Sequence, residues 1–233
     1  MTTETTTVEQ RAPLSRERVL GAAVDLADNE GISSVTMRRL AENLGVEAMS
    51  LYYHVANKEA LLDGMVDVIA GEINEAMKSL DLPRPEDDWK RAIRTRILAA
   101  RQVLLRHRWA PAVIEERTTM GPQIILYFES TLEIMRRGGF SWDLAHHAMH
   151  ALGSRALGFT QELFDPQEQA EKEDEASEML EEMADQLPYL VGMLSEIAHD
   201  DPDSTLGWCD DQSEFIFGLD LMLDGLERLR REE

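Results

Sequence analysis

Hydrophobic positions recur with a helical period along almost the whole chain. Behind Ser15, a favourable N-cap, an apolar stripe runs until Gly31 and comprises Val19, Ala22, Ala23, Leu26 and Ala27. Thr36 and Asn57 stand in the same capping position before the second and fourth stripes. No segment shows the period of two that a half-buried strand requires. The pattern therefore predicts an all-α protein.

The first 80 residues predict a compact helical head. A short helix after Thr36 buries Leu40, Ala41 and Leu44, and Gly45 ends it. A third helix of about two turns is held by Ala48, Leu51 and Val55, and a longer fourth helix follows Asn57. Two short helices joined by a tight turn with glycine form a helix-turn-helix, although small helical bundles share this arrangement.

Beyond Leu80, the stretch DLPRPEDD predicts a linker, and the rest of the chain predicts further helices. These cover about 89–106, 110–116, 122–137, 141–164, 178–198 and a C-terminal segment, with an acidic loop, DPQEQAEKEDEASE, between the fourth and fifth. We expect a flexible arm at 1–14, a helix-turn-helix domain with its connecting fourth helix at 15–80, and a regulatory domain for ligand binding and dimerisation at 81–233.

Charge is distributed unevenly along the 233 residues, whose formal net charge is −22. A chain this acidic should repel phosphate, yet residues 11–60 carry six Arg and Lys against seven Asp and Glu. One segment is thus nearly neutral. Cys209 is the single cysteine and cannot form a disulfide within the chain. The sequence has no membrane-length apolar run and no signal peptide, so we expect a cytoplasmic protein without a membrane partner.

The segment VTMRRLAENLGVEAMSLYYHVANKEALLDGM resembles the DNA-binding segment of the TetR (tetracycline-repressor) family. More weakly, LLRHR, RRGGFSWDLA and FIFGLDLMLDGLERL resemble the regulatory domain of the tetracycline-repressor branch. The resemblance implies an all-α homodimer with two helix-turn-helix heads that bind a palindromic operator in double-stranded DNA. It also implies a C-terminal core that binds a small inducer.

Several side chains of the head suit a major groove. A hydroxyl of Tyr52 or Tyr53 can bond a phosphate while the other ring packs on sugar or a thymine methyl, and Ser50 and Met49 offer a polar and an apolar contact. Lys58 begins the fourth helix, where a cation and free amides suit a phosphate. By resemblance, Arg38 and His54 match family positions that contact the backbone or adjacent bases. The alternative is that the tyrosines pack within the head.

One departure from the tetracycline repressor concerns the bases that are read. Ala48 and Met49 stand where that repressor has Gln-Pro, so we expect a different operator. A second departure concerns its magnesium chelate, which two histidines anchor. The matching places here hold Ile114 and either Ile73 or Asn74. We therefore expect a lipophilic, polycyclic inducer that needs no metal and no cofactor.

The ligand-binding candidates are apolar, aromatic or methionine side chains, each of which could instead be ordinary core. They are Trp89, Ile93, Ile97, Trp109, Val113, Met120, Tyr127, Phe128, Met135 and Phe159. The last helix carries a stripe too apolar to face water, which predicts a partner surface. The dimerisation candidates are Ala148, Leu152, Phe215, Leu219, Met222 and Leu226.

The segment HHAMH leaves three roles open. His146 and His150 are four residues apart, a spacing that can share a metal, but no H-E-x-x-H pattern occurs. By resemblance the segment falls at the subunit interface. These two and His147 could bond across a dimer seam or lie near the ligand.

No catalytic motif stands out: G-x-S-x-G, P-loop and dinucleotide patterns are missing, so we do not expect an enzyme. The leading hypothesis is a ligand-responsive transcriptional repressor. A second is a helical small-molecule-binding or enzymatic protein with a degenerate DNA-binding head. A third is a DNA-binding interaction protein with a filled core and no inducer. DNA binding separates the first from the second, and a cavity separates the first from the third.

Overall fold

The structure, a computed structural model, describes residues 13–158, 185–197 and 211–232. Within these ranges it contains ten α-helices, one short 3-10 helix at Ile32–Ser34 and no strand, which confirms the all-α prediction. The helices are α1 (Arg16–Glu30), α2 (Met37–Leu44), α3 (Ala48–Tyr52), α4 (Lys58–Lys78), α5 (Pro85–Arg106), α6 (Ala110–Glu116), α7 (Pro122–Arg137), α8 (Trp142–Gly158), α9 (Pro188–Ile197) and α10 (Asp211–Glu232). No helix in the described ranges has the length and apolarity needed to cross a membrane.

Local capping explains where the helices of the head begin. The side chains of Ser15, Thr36 and Asn57 accept hydrogen bonds from backbone amides three residues later, at 3.2, 3.1 and 2.8 Å. Between α2 and α3, Gly45 adopts φ 66° and ψ 40°, a left-handed conformation that glycine reaches without steric cost. The helix-turn-helix is therefore specified by short-range interactions. Its second helix is shorter than expected, because the chain turns after Tyr52.

The stretch predicted as a linker contains the first turn of α5. The helix begins at Pro85 and is interrupted at Asp88, whose backbone has φ −155° and ψ 74°. The carboxylate of Asp88 accepts a hydrogen bond from the amide of Arg91 at 3.0 Å, which is the geometry of an N-cap. The longer part of α5 thus starts at Trp89, as predicted, and only its preceding turn was missed.

Two apolar cores meet along α5. The first core packs α1–α4 against the C-terminal half of α5 and against α6, through Ala100, Val103, Leu104, Ala110 and Val113. The second core packs the N-terminal half of α5 against α7, α8 and α10. The first core therefore spans the boundary that we expected at residue 80, and it joins the head directly to the next helices.

The stripe on the last helix packs within its own chain. Phe215 and Leu219 are fully buried and Leu226 nearly so, against the side of α5 that includes Trp89 and Ile93. Ala148 and Leu152 of α8 are buried in the same core, and Met222 packs on it. The predicted partner surface is supplied by helices of the same chain, so the stripe by itself does not indicate a second subunit. These six residues are not an exposed surface, and their role in dimerisation stays an untested prediction.

Several expectations fall outside the described residues. They include Phe159, Cys209, most of the N-terminal arm, the acidic loop and the end of the helix expected to reach about residue 164, of which α8 is described to Gly158.

Candidate functional site: a helix-turn-helix face and an apolar cavity

The second helix of the helix-turn-helix presents a polar and aromatic face. Leu51 is fully buried under α3, whereas Met49, Tyr52 and Tyr53 are 70%, 44% and 89% exposed. Neither tyrosine is packed into the head, so the alternative of a core role does not hold. Ser50 and His54 lie beside them and are partly exposed. The face offers hydroxyl, imidazole and thioether groups to a partner.

Cations frame this face. Lys58 is exposed at the first position of α4. Arg38 is exposed on α2, and its Nε donates to Glu42 at 3.0 Å, an exposed pair of the kind that contributes little to stability. Arg38 can therefore exchange Glu42 for a phosphate at small cost. All seven residues predicted to contact DNA are at least partly exposed, and their role stays a prediction: Arg38, Met49, Ser50, Tyr52, Tyr53, His54 and Lys58.

Arg117 links the segment after α6 to the first turn of α4. Its Nη1 donates to Glu59 at 2.5 Å and lies 3.6 Å from Asp63. The hydrogen bond to Glu59 raises the pKa of Arg117. Glu59 is the neighbour of Lys58, so this contact ties the segment after α6 to the start of α4. The sequence does not indicate the contact, because the two residues are 58 positions apart.

An apolar cavity of about 140 Å³ lies where the two cores meet. Helix α4 contributes Ala70 and Ile73 to its wall, and the other lining residues come from α5 to α8. They are Ile97, Ala100, Leu104, Ile114, Ile124, Tyr127, Phe128, Thr131, Met135, Met149, Leu152, Gly153, Ala156 and Leu157. Almost every lining group is a hydrocarbon, which suits a lipophilic ligand.

The structure brings four predicted ligand-binding residues to this cavity: Ile97, Tyr127, Phe128 and Met135. Ile93 and Trp89 lie one and two helical turns before Ile97, in the second core. There the Trp89 indole contacts Phe140 edge-on, and its Nε1 donates to Glu227 at 2.8 Å. Trp109 and Val113 are buried in the first core. Met120 is mostly exposed. These five predicted residues do not line the cavity: four pack in the two cores, and Met120 faces solvent.

Both isoleucines at the magnesium-anchoring places line the cavity. Ile73 enters from α4 and Ile114 from α6, and neither side chain has an atom that coordinates a metal. Asn74 faces away, and its amide donates to the carbonyl and the side chain of Gln123 at 2.8 and 3.0 Å. The described residues contain no group of three or more metal-binding side chains.

A partly buried polar cluster joins α1, α4 and the turn between α5 and α6. The imidazole of His107 lies between two carboxylates, with Nδ1 2.9 Å from Asp28 and Nε2 3.1 Å from Glu72. The indole Nε1 of Trp109 also donates to Asp28, at 2.6 Å. Each element therefore loses a charged contact if it moves away from the others. The segment LLRHR does not by itself indicate this role for His107, since its partners are distant in sequence.

The three histidines of α8 lie outside the cavity. Their side chains are on the exposed face of the helix, where the rings of His146 and His150 are 4.7 Å apart. His147 Nε2 is 3.6 Å from Asp143. A role next to a ligand in the cavity is therefore excluded for this conformation.

An exposed apolar surface remains on the outer side of α10. Phe217 and Leu221, one turn apart, are both more than half exposed, and Trp142 at the start of α8 is similarly exposed and stacks on Arg136. We call Phe217 and Leu221 the outer α10 patch. Apolar neighbours in this position are typical of a surface that another molecule covers.

Comparisons with known proteins agree with this architecture. The family described as "Bacterial regulatory proteins, tetR family" matches residues 19–65, and "Tetracyclin repressor-like, C-terminal domain" matches residues 82–230. The tetracycline repressor protein class D of Escherichia coli is 30% identical over 219 residues, which are 93% of this chain and 90% of that protein.

Solved structures of similar proteins include two with bound small molecules. The Streptomyces coelicolor TetR family protein ActR in complex with (S)-DNPA is 26% identical with a TM-score of 0.69, over 92% of this chain and 98% of that one. A TetR variant from Acinetobacter baumannii AYE in complex with minocycline is 26% identical with a TM-score of 0.65, over 93% of this chain and 95% of that one.

Proposed function

The chain belongs to the TetR family of bacterial regulatory proteins, and on that premise we propose that it is a ligand-responsive transcriptional repressor. It binds a palindromic operator as a homodimer and is released by a small, lipophilic, polycyclic inducer. The observation that carries the proposal is that a single helix, α4, begins at Lys58 beside the DNA-facing side chains and forms a wall of the cavity with Ala70 and Ile73.

The head supports the DNA-binding half of the proposal. A helix of this size fits a major groove about 12 Å wide, and α3 directs Met49, Tyr52 and Tyr53 away from the core. Lys58 and Arg38 contact phosphates, which position the protein without reading sequence. Met49 and the tyrosines contact bases and sugars, so they set the preference among operators.

The cavity supports the ligand-binding half. Its apolar lining favours a lipophilic compound, and the isoleucines at positions 73 and 114 favour one that binds without magnesium. Pockets for drug-sized ligands usually have volumes of about 300–1,000 Å³. The cavity described here has a volume of about 140 Å³ and is therefore smaller. A polycyclic inducer therefore has to move the walls apart. Because α4 is one wall, ligand entry displaces the helix that begins at Lys58.

Related proteins lend this half further support. ActR and the Acinetobacter TetR variant have been solved with (S)-DNPA and minocycline, and both resemble this chain over more than nine tenths of its length. A cavity also favours the repressor over the third hypothesis, an interaction protein with a filled core.

Symmetry and the outer α10 patch both support a homodimer. A palindrome is read by two heads placed about one helical turn or a small multiple apart on the same side of the duplex. Phe217 and Leu221 give two copies of the chain an apolar surface that neither needs for its own core. This surface replaces the buried stripe as the proposed dimer contact.

The decisive experiment selects bound sequences from a random pool of duplex DNA and then titrates the winning sequence with lipophilic polycyclic compounds. A palindromic consensus, and a compound that releases the protein with or without a chelator, are the expected results. An inducer with a coupling of about 1–3 kcal/mol lowers operator affinity about 5- to 150-fold, and operator lowers inducer affinity by the same factor.

Each failure points to a different alternative. A pool that shows no enrichment would favour the small-molecule-binding or enzymatic protein with a degenerate head. Enrichment with no releasing compound would favour the interaction protein. Sedimentation that shows only monomers at micromolar concentration, with and without DNA, would overturn the homodimer.

A further inference from the structure

Arg96 is a buried cation beside the cavity. Its side chain lies on α5 and lines an open cleft that α1, α4 and α7 also line, and only 5% of the residue is exposed. Its Nη2 donates to Ser130 at 2.6 Å and to Thr131 at 3.3 Å. Ser130 lines the cleft and Thr131 lines the cavity, so the guanidinium contacts a lining residue of each.

This guanidinium has no carboxylate to balance it among the residues that the structure describes. Its Nε is buried and has no hydrogen-bond acceptor. Burial lowers the pKa of Arg96 because the surroundings disfavour its charge. The acidic side chain that acts on it, Glu133, is exposed and forms its own ion pair with Arg137 at 3.0 Å. A buried cation without a partner is unfavourable, and most proteins avoid it.

The two hydroxyls do not explain why Arg96 is there. Ser130 and Thr131 each donate to the carbonyl of Tyr127, at 3.0 and 2.8 Å, as hydroxyls on helices commonly do. They would remain hydrogen-bonded if the guanidinium were removed. The Tyr127 ring, whose centroid is 5.2 Å from the guanidinium carbon, attracts the cation but offers no acceptor to its Nε. Arg96 thus has a buried Nε donor to spare, and the neighbouring cavity, which Thr131 and Tyr127 line, has no acidic side chain among its lining residues.

We propose that Arg96 is an anchor for a carboxylate on the otherwise lipophilic ligand. The proposal rests on the proposed ligand-binding function and narrows its ligand to aromatic or polycyclic carboxylic acids. The hydrocarbon part occupies the cavity among Ile97, Phe128 and Met135, and the carboxylate accepts a hydrogen bond from the Nε of Arg96. Thr131, which lines the cavity and already touches Arg96, lies on the path between the two. Burial also raises the pKa of Tyr127, which keeps its hydroxyl protonated beside the anion.

The test compares two probes of equal shape, 2-naphthoate and its neutral amide, 2-naphthamide, by calorimetric titration. Wild type should bind 2-naphthoate about 10- to 100-fold more tightly, which is the range expected for hydrogen bonds to a charged group in a buried site. Arg96→Met should abolish that preference while 2-naphthamide binds as before. Arg96→Lys keeps the charge but loses the planar fork, so it should retain part of the preference.

A matched control is Arg94→Met, two positions away on α5. Arg94 forms an ion pair with Asp220 at 2.7 Å on the side of α10 and does not line the cavity. It should leave the preference unchanged. Thermal unfolding of each variant checks folding; if Arg96→Met does not fold, the comparison of wild type with Arg96→Lys still measures the effect of the guanidinium.

The outcomes separate this inference from the function on which it rests. Equal affinities of wild type for the two probes, or a preference that survives in Arg96→Met, would overturn the carboxylate anchor and leave the repressor intact. Failure of both probes to bind wild type at millimolar concentration would count against the cavity as a ligand site, and the anchor would fall with it.

Discussion

Replacing Gly153 by leucine should stabilise the protein and abolish its response to the inducer. Gly153 lies on α8 between four other lining residues, Met149, Leu152, Ala156 and Leu157. A Cβ at this position would meet no atom within 4 Å, so a side chain enters open space. Because all five residues share one face of the helix, that space is the cavity.

The gain in stability has two sources. Glycine inside a helix costs about 1 kcal/mol relative to alanine. Empty apolar volume costs about 24 cal/mol per Å³, so complete filling of the cavity of about 140 Å³ would contribute about 3 kcal/mol. Leucine fills only part of this space, which places the expected gain between about 1 and 3 kcal/mol. In a chain of this size, each kcal/mol raises Tm by about 2–4 °C.

The assay combines urea denaturation with fluorescence anisotropy of labelled operator, measured with and without the compound that releases wild type. Gly153→Ala is the matched control: it gains helix propensity and leaves most of the cavity empty, so it should be stabilised by about 1 kcal/mol and should still respond. Gly153→Leu should bind operator as wild type does and should not respond. A Gly153→Leu variant that is released as easily as wild type would refute the placement of the ligand in this cavity.

Three further predictions concern other parts of the chain. Lys58→Ala should weaken binding to all DNA sequences and reduce the slope of log affinity against log salt concentration by about one unit, because a phosphate contact releases about one counterion. An unchanged slope would contradict its phosphate role. Met49→Ala should instead change sequence preference. Trp109→Phe removes the donor to Asp28 and should cost about 1.5–3 kcal/mol in urea denaturation, and unchanged stability would show that the contact is dispensable. Glu227 has its pKa lowered from 4.5 to about 2, chiefly by Arg230, so its stabilising effect is complete above pH 4.5 and is lost as the pH falls toward 2. The stability difference between wild type and Glu227→Gln should therefore shrink over that range, and a constant difference would be inconsistent with the lowered pKa.

Local features of the fold could be predicted from the sequence because their causes are local. Ser15, Thr36 and Asn57 cap helices through amides three residues away, and Gly45 supplies a conformation that other residues adopt rarely. The exposed side of α3 could be predicted because its apolar residues, which pack against the other helices, identify the opposite side as buried.

The cavity could be predicted only in part because it depends on how two cores meet. Trp89, Ile93 and Ile97 lie on the same stripe of α5, yet only Ile97 reaches the point where the head core begins. The stripe on α10 shows the same limit: apolar periodicity indicates that a face is covered, but not whether the cover comes from the same chain or from another. Arg96 and His107 escaped notice because their settings are tertiary. A polar residue in a helix is expected to face water until its neighbours are known.

Helix α4 is where these separate features act together. It has 21 residues, and Lys58 is 15 positions before Ile73, about 22 Å at the rise of an α-helix. Along that length it meets Arg117 through Glu59, the cavity through Ala70 and Ile73, and His107 through Glu72. A helix transmits displacement because its backbone hydrogen bonds resist bending, so a ligand that separates Ile73 from Ile114 shifts the end that holds Lys58. The ligand can do so only by its difference in affinity for the wider and narrower cavity. If the DNA-binding state has this narrow cavity, as the proposed function implies, the coupling is stronger the less room that state offers an inducer, because the difference in affinity is then larger.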